Sequence, residues 1–257
     1  MGKTGRAKTG SIEHAIEVFL RGFTFVRSAT HPYLAERVGG VWVMRDEERR
    51  TGEYRNEEWV VYGVKPNDAD EVARKHTRGR FELSVIHEVR KPDEDLRSGY
   101  RDLGYRLGTT EPLMVHRLKK IPNFTAPAGV EIKRVLTAKM AARLAKTTKS
   151  RPILAQDLQK DSRLRQYVAV MGEKIVGWVK SIEAGDSRWC SHMRVLPNFR
   201  RRGIGRAMLC RMLRDDRSGG AKGGVLLSSH AGAKLYPIVG YEQIATLYLF
   251  TPRKKKP

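Results

Sequence analysis

The chain runs to 257 residues, with 50 lysines and arginines against 28 aspartates and glutamates, a formal net charge of +22 and 40% hydrophobic residues. That gives room for one large or two ordinary domains with packed cores, and no apolar run approaches the ~20 residues of a membrane span. No charged-then-apolar leader marks a secreted chain. Two cysteines, Cys190 and Cys210, are too few for a disulfide framework, so a cytoplasmic protein with two small buried thiols is expected.

Residues 1–10, basic and poor in apolar side chains, read as a disordered tail. Arg6 stands where a myristoylation signal wants Ser or Thr, which excludes Gly2 as a lipid site. Ser11 is a helix cap, and Ala15, Ile16, Phe19 and Leu20 share one helical face behind it. Residues 41–44 and 59–62 read as strands on either side of a charged stretch. A helix follows Pro66 over 67–76, and residues 81–89 alternate like a half-buried strand. Another helix runs from Pro92 to Tyr100. Tyr100 and Tyr105 bracket Gly104, and 113–118 form an apolar-rich strand. Together these make an α+β domain over 11–120, closed by a linker at 121–129 that proline and glycine punctuate.

Beyond the linker, residues 130–134 are a strand and Thr137 caps a helix reaching Lys146. A second helical stretch lies near 155–159. Strands 167–171 and 174–183 form a hairpin turning at Gly172-Glu173, and 189–195 is a central strand. After a basic glycine turn, Met208, Leu209, Met212 and Leu213 mark an amphipathic helix that ends near Gly219-Gly220. A strand over 225–228, a short helix carrying Tyr236 and a strand over 244–250 complete a second domain, 130–251, with 252–257 a basic tail. The seven histidines show no ligand spacing, so no metal site is expected.

The turn Arg200-Arg201-Arg202-Gly203-Ile204-Gly205-Arg206 joins the central strand to its helix. A helix N-terminus presents unpaired N–H groups and the positive end of a dipole, which suits a phosphate. Glycines let the backbone come close, and arginines add charge-assisted bonds. A P-loop would need Gly-Lys-Ser/Thr, and a dinucleotide fingerprint a third glycine where Met208 stands. Arg200-x-x-Gly203-x-Gly205, following Val195-x-Pro197, instead resembles the acetyl-coenzyme-A loop of the GNAT superfamily of N-acetyltransferases. Leu235-Tyr236-x-x-x-Gly240-Tyr241 matches a second signature of that superfamily, in the right order and at the right distance.

The resemblance implies a GNAT fold, a mixed α/β sheet with helices, in the C-terminal half. It implies acetyl-CoA as acyl donor and direct transfer to a primary amine in a ternary complex, since neither cysteine lies where a covalent acyl carrier belongs. The pyrophosphate would rest on the backbone of Arg201, Arg202, Gly203, Ile204, Gly205 and Arg206, with the side chains of Arg200, Arg201 and Arg202. The pantetheine arm would pair with Met193, Arg194 and Val195, the Val195 N–H would meet the thioester carbonyl, and Tyr236 would protonate the leaving thiolate. Ser229 stands where many members carry an asparagine for the pantetheine. Family members often place a base two or four residues before the Met193 position, which here are Ser191 and Trp189, neither of them a base. His192 has the opposite strand parity and faces away unless a bulge shifts the register. His230 and Glu183 are alternatives, and an amine that arrives deprotonated needs none.

Tyr100 to Tyr105 repeats the spacing of Tyr236 to Tyr241, so the first domain reads as a smaller, degenerate GNAT-like repeat. It lacks Arg-x-x-Gly-x-Gly and is expected to be structural or acceptor-binding. Two other classes stay open: a non-catalytic acyl-CoA-binding or sensing module, and a basic nucleic-acid-binding protein on the same fold. The latter is not favoured, because aromatics are not interleaved with the basic residues as a stacking platform requires. The acceptor is not legible, since the fold fixes the donor alone. An exposed sheet edge leaves a homodimer open as a partner.

Overall fold

The computed structural model describes residues 9–253, and the chain separates into two compact units. The N-terminal unit holds Leu20–Met114, Leu227–His230 and the residues from Gln243 on, while the C-terminal unit holds the residues up to Phe19, Val115–Leu226 and Ala231–Glu242. Helix α1 (Ile12–Arg27) contributes residues to both.

In the N-terminal unit, β1 (Tyr33–Val38) and β2 (Val41–Asp46) form an antiparallel hairpin on Gly39-Gly40. The φ values there, +56° and +85°, are those of a tight two-residue turn. β1 escapes the sequence reading because only Tyr33 of its six residues is fully buried, the mark of an edge strand. β3 (Glu57–Val61) pairs with β2 antiparallel and with β4 (Phe81–Glu88) in parallel. Helix α2 (Pro66–His76) connects them, and α3 (Glu94–Asp102) leads to β5 (Tyr105–His116).

The chain's last strand, β11 (Glu242–Pro252), lies between β4 and β5, antiparallel to β4 from Ala245↔Glu88 to Phe250↔Leu83. This corrects the domain boundary expected at 251. Tyr248 and Phe250 are buried in the core formed by Trp59, Leu83, Tyr100 and Tyr105, and that burial decides where β11 goes. Nor are 252–253 a tail: Pro252 ends β11, and the Arg253 N–H donates to the Gly104 carbonyl at 2.9 Å. The rest of the expected tails, residues 1–8 and 254–257, lies outside the described residues.

In the C-terminal unit, β6 (Val130–Arg134), β7 (Leu164–Met171), β8 (Lys174–Ala184), β9 (Ser187–Val195) and β10 (Gly223–Leu227) lie side by side in that order. All pairs are antiparallel except β9 with β10. Helix α4 (Ala138–Thr148) starts where the Thr137 hydroxyl accepts the Met140 N–H at 3.3 Å. It packs Ala141 and Leu144 on one sheet face against Val168, Val170 and Trp178.

Helix α5 (Ile204–Ser218) covers the opposite face. Strand alternation sends Trp178 and Lys180 toward α4 and Ser181 toward α5. There Asp216, 1% exposed, accepts from Ser181 Oγ at 2.8 Å and faces Arg165 Nη1 at 3.4 Å and Arg188 Nε at 3.9 Å. Both cysteines are buried and free. The short helix expected around Tyr236 is instead two 3-10 turns, Gly232–Lys234 and Pro237–Val239, ended by Gly240 at φ +98°. The segment is too short for an α-helical nucleus.

Candidate active site

The site is built on β9. β10 pairs with it only from Gly223↔Ser187 to Val225↔Trp189, while β8 follows it as far as Gly177↔Val195. From Cys190 onward the other edge of β9 is therefore open. The Leu196 N–H donates to the Val176 carbonyl at 2.9 Å, which makes Gly177↔Val195 a non-hydrogen-bonded pair. Antiparallel alternation then turns the Val195 N–H and C=O away from β8, toward the edge that β10 has left. Arg194, one residue earlier and opposite Trp178, turns its backbone to β8 instead. Of the three residues expected to pair with a pantetheine arm, Arg194 is the one whose backbone faces β8, and its guanidinium lies 6.0 Å from the Trp178 ring centroid.

The β8–β9 register shifts between Trp178↔Arg194 and Lys180↔Ser191, and within the shift His192 takes φ +53°. The extra residue is a β-bulge, and it overturns the parity argument. His192, which regular alternation would send to the α5 face, lines a pocket of about 400 Å3 on the α4 face together with Met193 and Arg194. Arg151, Gln166, Trp178 and Lys180 form much of the remaining wall. His192 Nδ1 is 3.1 Å from Ser191 Oγ. His192 is exposed at the pocket's rim, and partial desolvation of its ring, then the Lys180 charge, lowers the imidazole from its ordinary 6.5. Burial also lowers Lys180, with Asp157 opposing the shift.

After β9 the chain makes a 3-10 turn at Pro197–Phe199 and enters the glycine loop, where Arg201 at φ +63° and Gly203 at φ +83° are left-handed. The first amide of α5 to pair is that of Ala207, to the Gly203 carbonyl at 3.1 Å. Among the described residues, the amides of Arg201, Arg202, Gly203, Ile204, Gly205 and Arg206 find no carbonyl. They sit at the positive end of a 15-residue helix, beside the left-handed Arg201 and Gly203, where the helix dipole favours negative charge. A Cβ on Gly205 would stand 3.2 Å from both Leu235 Cδ2 and Met193 Cε.

The arginine side chains divide the work differently from the expectation. Arg200 Nε donates to the Val195 carbonyl at 2.9 Å and braces the strand end. Arg202 stacks over Phe199 at 5.7 Å and Arg206 over Phe124 at 4.7 Å. Arg201 has no side-chain bond or ring contact among the described residues, and is the one of the expected three left untethered.

Tyr236 is buried edge-on to Tyr241, with centroids 5.6 Å apart. Burial and then the Cys190 charge push its phenol well above the usual 10, so it carries its proton at pH 7. Sequence reasoning missed His116. Its Nδ1 accepts the Leu118 N–H at 2.8 Å, its Nε2 donates to the Val239 carbonyl at 3.0 Å, and its ring lies 5.2 Å from Tyr241. It thereby pins the turn that carries Tyr236, and a lone histidine at the end of an apolar strand offers no pattern that would reveal it.

The remaining candidates lie elsewhere. Glu183 pairs with Arg188 at 3.2 Å, opposite the start of β9. His230, 3.3 Å from Thr110 Oγ1, and Ser229 fall in the segment grouped with the N-terminal unit.

The N-terminal unit repeats the tyrosine pair but not the opening. Tyr100 and Tyr105 meet edge-on at 5.8 Å around Gly104 at φ +83°. Yet β3 and β4 stay paired from Glu57↔Phe81 to Val61↔Val85, and Tyr100 is fully buried, stacked on Phe250 at 4.6 Å.

Residues 162–243 match the acetyltransferase (GNAT) domain family. No curated protein sequence matches the chain. A GCN5-related N-acetyltransferase from Kribbella flavida is similar in structure at TM-score 0.64 and 20% identity, over 93% of this chain and 96% of that one. Another, from Sphaerobacter thermophilus, gives TM-score 0.56 and 16% identity over 84% and 78%. A tandem GNAT protein from the clavulanic acid biosynthesis pathway gives 0.50 and 14% over 84% and 83%. At such identities the likeness is one of fold.

Proposed function

We propose, from the match of residues 162–243 to the acetyltransferase (GNAT) domain family, that the chain transfers an acetyl group from acetyl-CoA directly to an amine. The observation that carries this reading is the open edge of β9 ending one turn before a helix N-terminus whose amides are unpaired. A diphosphate suits that N-terminus, where the donors, the dipole and the untethered Arg201 all favour negative charge. The open β9 edge suits an arm that carries amides, which can pair with it as a strand would.

The thioester supplies an activated acyl carbon and a thiolate leaving group. The Val195 N–H, turned to the open edge, donates to the oxyanion that develops there, a contribution typically worth about 10²–10³ in rate. The amine nitrogen bonds to the acyl carbon, and the C–S bond breaks with its electron pair going to sulfur. His192, neutral and in the pocket wall beside Met193, takes the proton that the amine loses. Tyr236 gives its proton to the sulfur, so one proton leaves nitrogen and one reaches the thiol.

The test is acetyl-CoA offered with a panel of amines, following free thiol. Gly203→Glu, which puts a carboxylate in the nest, abolishes both thiol release and CoA binding if the reading holds. Thiol release that survives in Gly203→Glu would refute it. The N-terminal unit we read as a second copy of the fold that takes no cofactor. The matching tyrosine pair supports the kinship, and the closed β3–β4 pairing supports the loss.

A further inference from the structure

The pocket beside the β9 bulge has a charge character that the acetyltransferase reading does not require. Its wall contains Arg151, Lys180, Arg194 and His192, and no aspartate or glutamate. Arg194 lies over the Trp178 ring, so its position is held. Lys180 is different: among the described residues its ammonium forms no hydrogen bond or ion pair. The nearest acidic influence on it is Asp157, which does not line the pocket and accepts from Ser162 Oγ at 3.3 Å. Gln166 spends its NH2 on the carbonyls of Tyr167 and Val179, leaving its oxygen as the amide's remaining polar group. Lys180 is half-buried and Arg151 and Arg194 stand exposed at the pocket's rim; like charges gathered there without a carboxylate in the wall repel one another, and an anion between them removes that repulsion.

The dimensions narrow the ligand further. About 400 Å3 is within the range of small-molecule sites. Ala141, Leu144 and Ile153 with the Trp178 face supply an apolar side for a short carbon skeleton.

We infer that the acceptor is a small amine that also carries an anionic group, carboxylate or phosphate, held by Lys180 with Arg151 while its amine lies toward His192. This rests on the acetyltransferase reading and specifies its acceptor. Polyamines and aminoglycosides are disfavoured, because each would bring further positive charge into a cationic pocket.

The experiment uses matched amines with and without the anion: phosphoethanolamine against ethanolamine, and β-alanine against β-alaninamide, with spermidine as the cationic arm. Each is offered with acetyl-CoA and followed by thiol release, and each is titrated calorimetrically into the CoA-bound protein. Lys180→Met is compared with Lys174→Met, which removes the same charge at the exposed hairpin turn. The anionic member of at least one pair should be preferred about tenfold or more in kcat/KM. Lys180→Met should erase that preference through KM by roughly 10- to 100-fold, the range of a charged hydrogen bond, while Lys174→Met keeps it. The better of the two pairs tells phosphate from carboxylate.

Preference for spermidine or the neutral members, or a preference that Lys180→Met leaves unchanged, overturns the inference and leaves the acetyltransferase reading standing. If no amine releases thiol, that reading fails. Heat from the anionic amines that disappears in Lys180→Met would still support the anion site, and no heat from any of them overturns it.

Discussion

Gly203→Ala and Gly220→Ala make a matched pair that isolates the anion nest from the stability of helix α5. Both glycines are left-handed, at φ +83° and +85°, one at each end of α5. Neither site is crowded: a Cβ on Gly203 meets only Arg206 Nη2 at 3.5 Å, and one on Gly220 meets nothing within 4 Å. Each alanine should therefore destabilise by the left-handed penalty alone, about 1–2 kcal/mol, or a few degrees in Tm for a protein of this size. Their effects on ligand binding should differ. Relaxing φ at Gly203 rotates the neighbouring amides out of the nest, and losing one hydrogen bond to a charged group removes about 1.5–3 kcal/mol. That corresponds to a rise of roughly 10- to 150-fold in the Kd for CoA. Gly220→Ala should leave the Kd unchanged. Thermal unfolding and calorimetric titration of both variants measure the two quantities. Equal losses of stability with equal Kd values would refute the nest, because the strain would then be felt by the helix and not by a ligand.

The other expected outcomes follow from individual groups. Tyr236→Phe should lower kcat by about 10²–10⁴, the range of general acid catalysis, with CoA affinity kept; an unchanged rate of thiol release would remove Tyr236 as the acid. His192→Gln should lower kcat/KM and flatten its acid limb, which in the native protein falls below the ordinary histidine range because the imidazole is held under 6.5. An unaltered pH profile would remove His192 as the base. Asp216→Ala leaves the buried Arg165 without its carboxylate and Arg188 with only the more exposed Glu183, and should destabilise by about 3–5 kcal/mol in denaturant unfolding. Burial holds His116 below 6.5, so the unfolded chain takes up the proton first. The stabilisation due to His116 is therefore complete above about pH 6.5 and lost as pH falls through the interval below it. His116→Phe should remove that acid dependence, while exposing the Leu118 N–H and Val239 carbonyl at a loss of about 1–3 kcal/mol at pH 8.

The backbone features of the candidate site were legible in the sequence because their requirements are local. Gly203 and Gly205 at the start of a helix, and Gly240 before Tyr241, are demands of backbone dihedral and close approach, which neighbouring residues satisfy or fail to satisfy by themselves. The Thr137 cap and the strand at Val130–Arg134 are likewise set by their own few residues. The tertiary structure alone decided features that depend on which distant residues meet. The bulge that turns His192 into a pocket arises from the β8–β9 register, and period-two alternation read along one strand points the wrong way wherever a register slips. The destination of β11 was hidden for the same reason: Tyr248 and Phe250 are apolar in any setting, and only the cavity left by Trp59, Leu83 and Tyr100 selects the unit that buries them. The charge of the pocket beside the β9 bulge belongs to this second kind as well, since Arg151, Lys180 and Arg194 come from separate parts of the chain and acquire a common meaning only when the sheet folds them around one space.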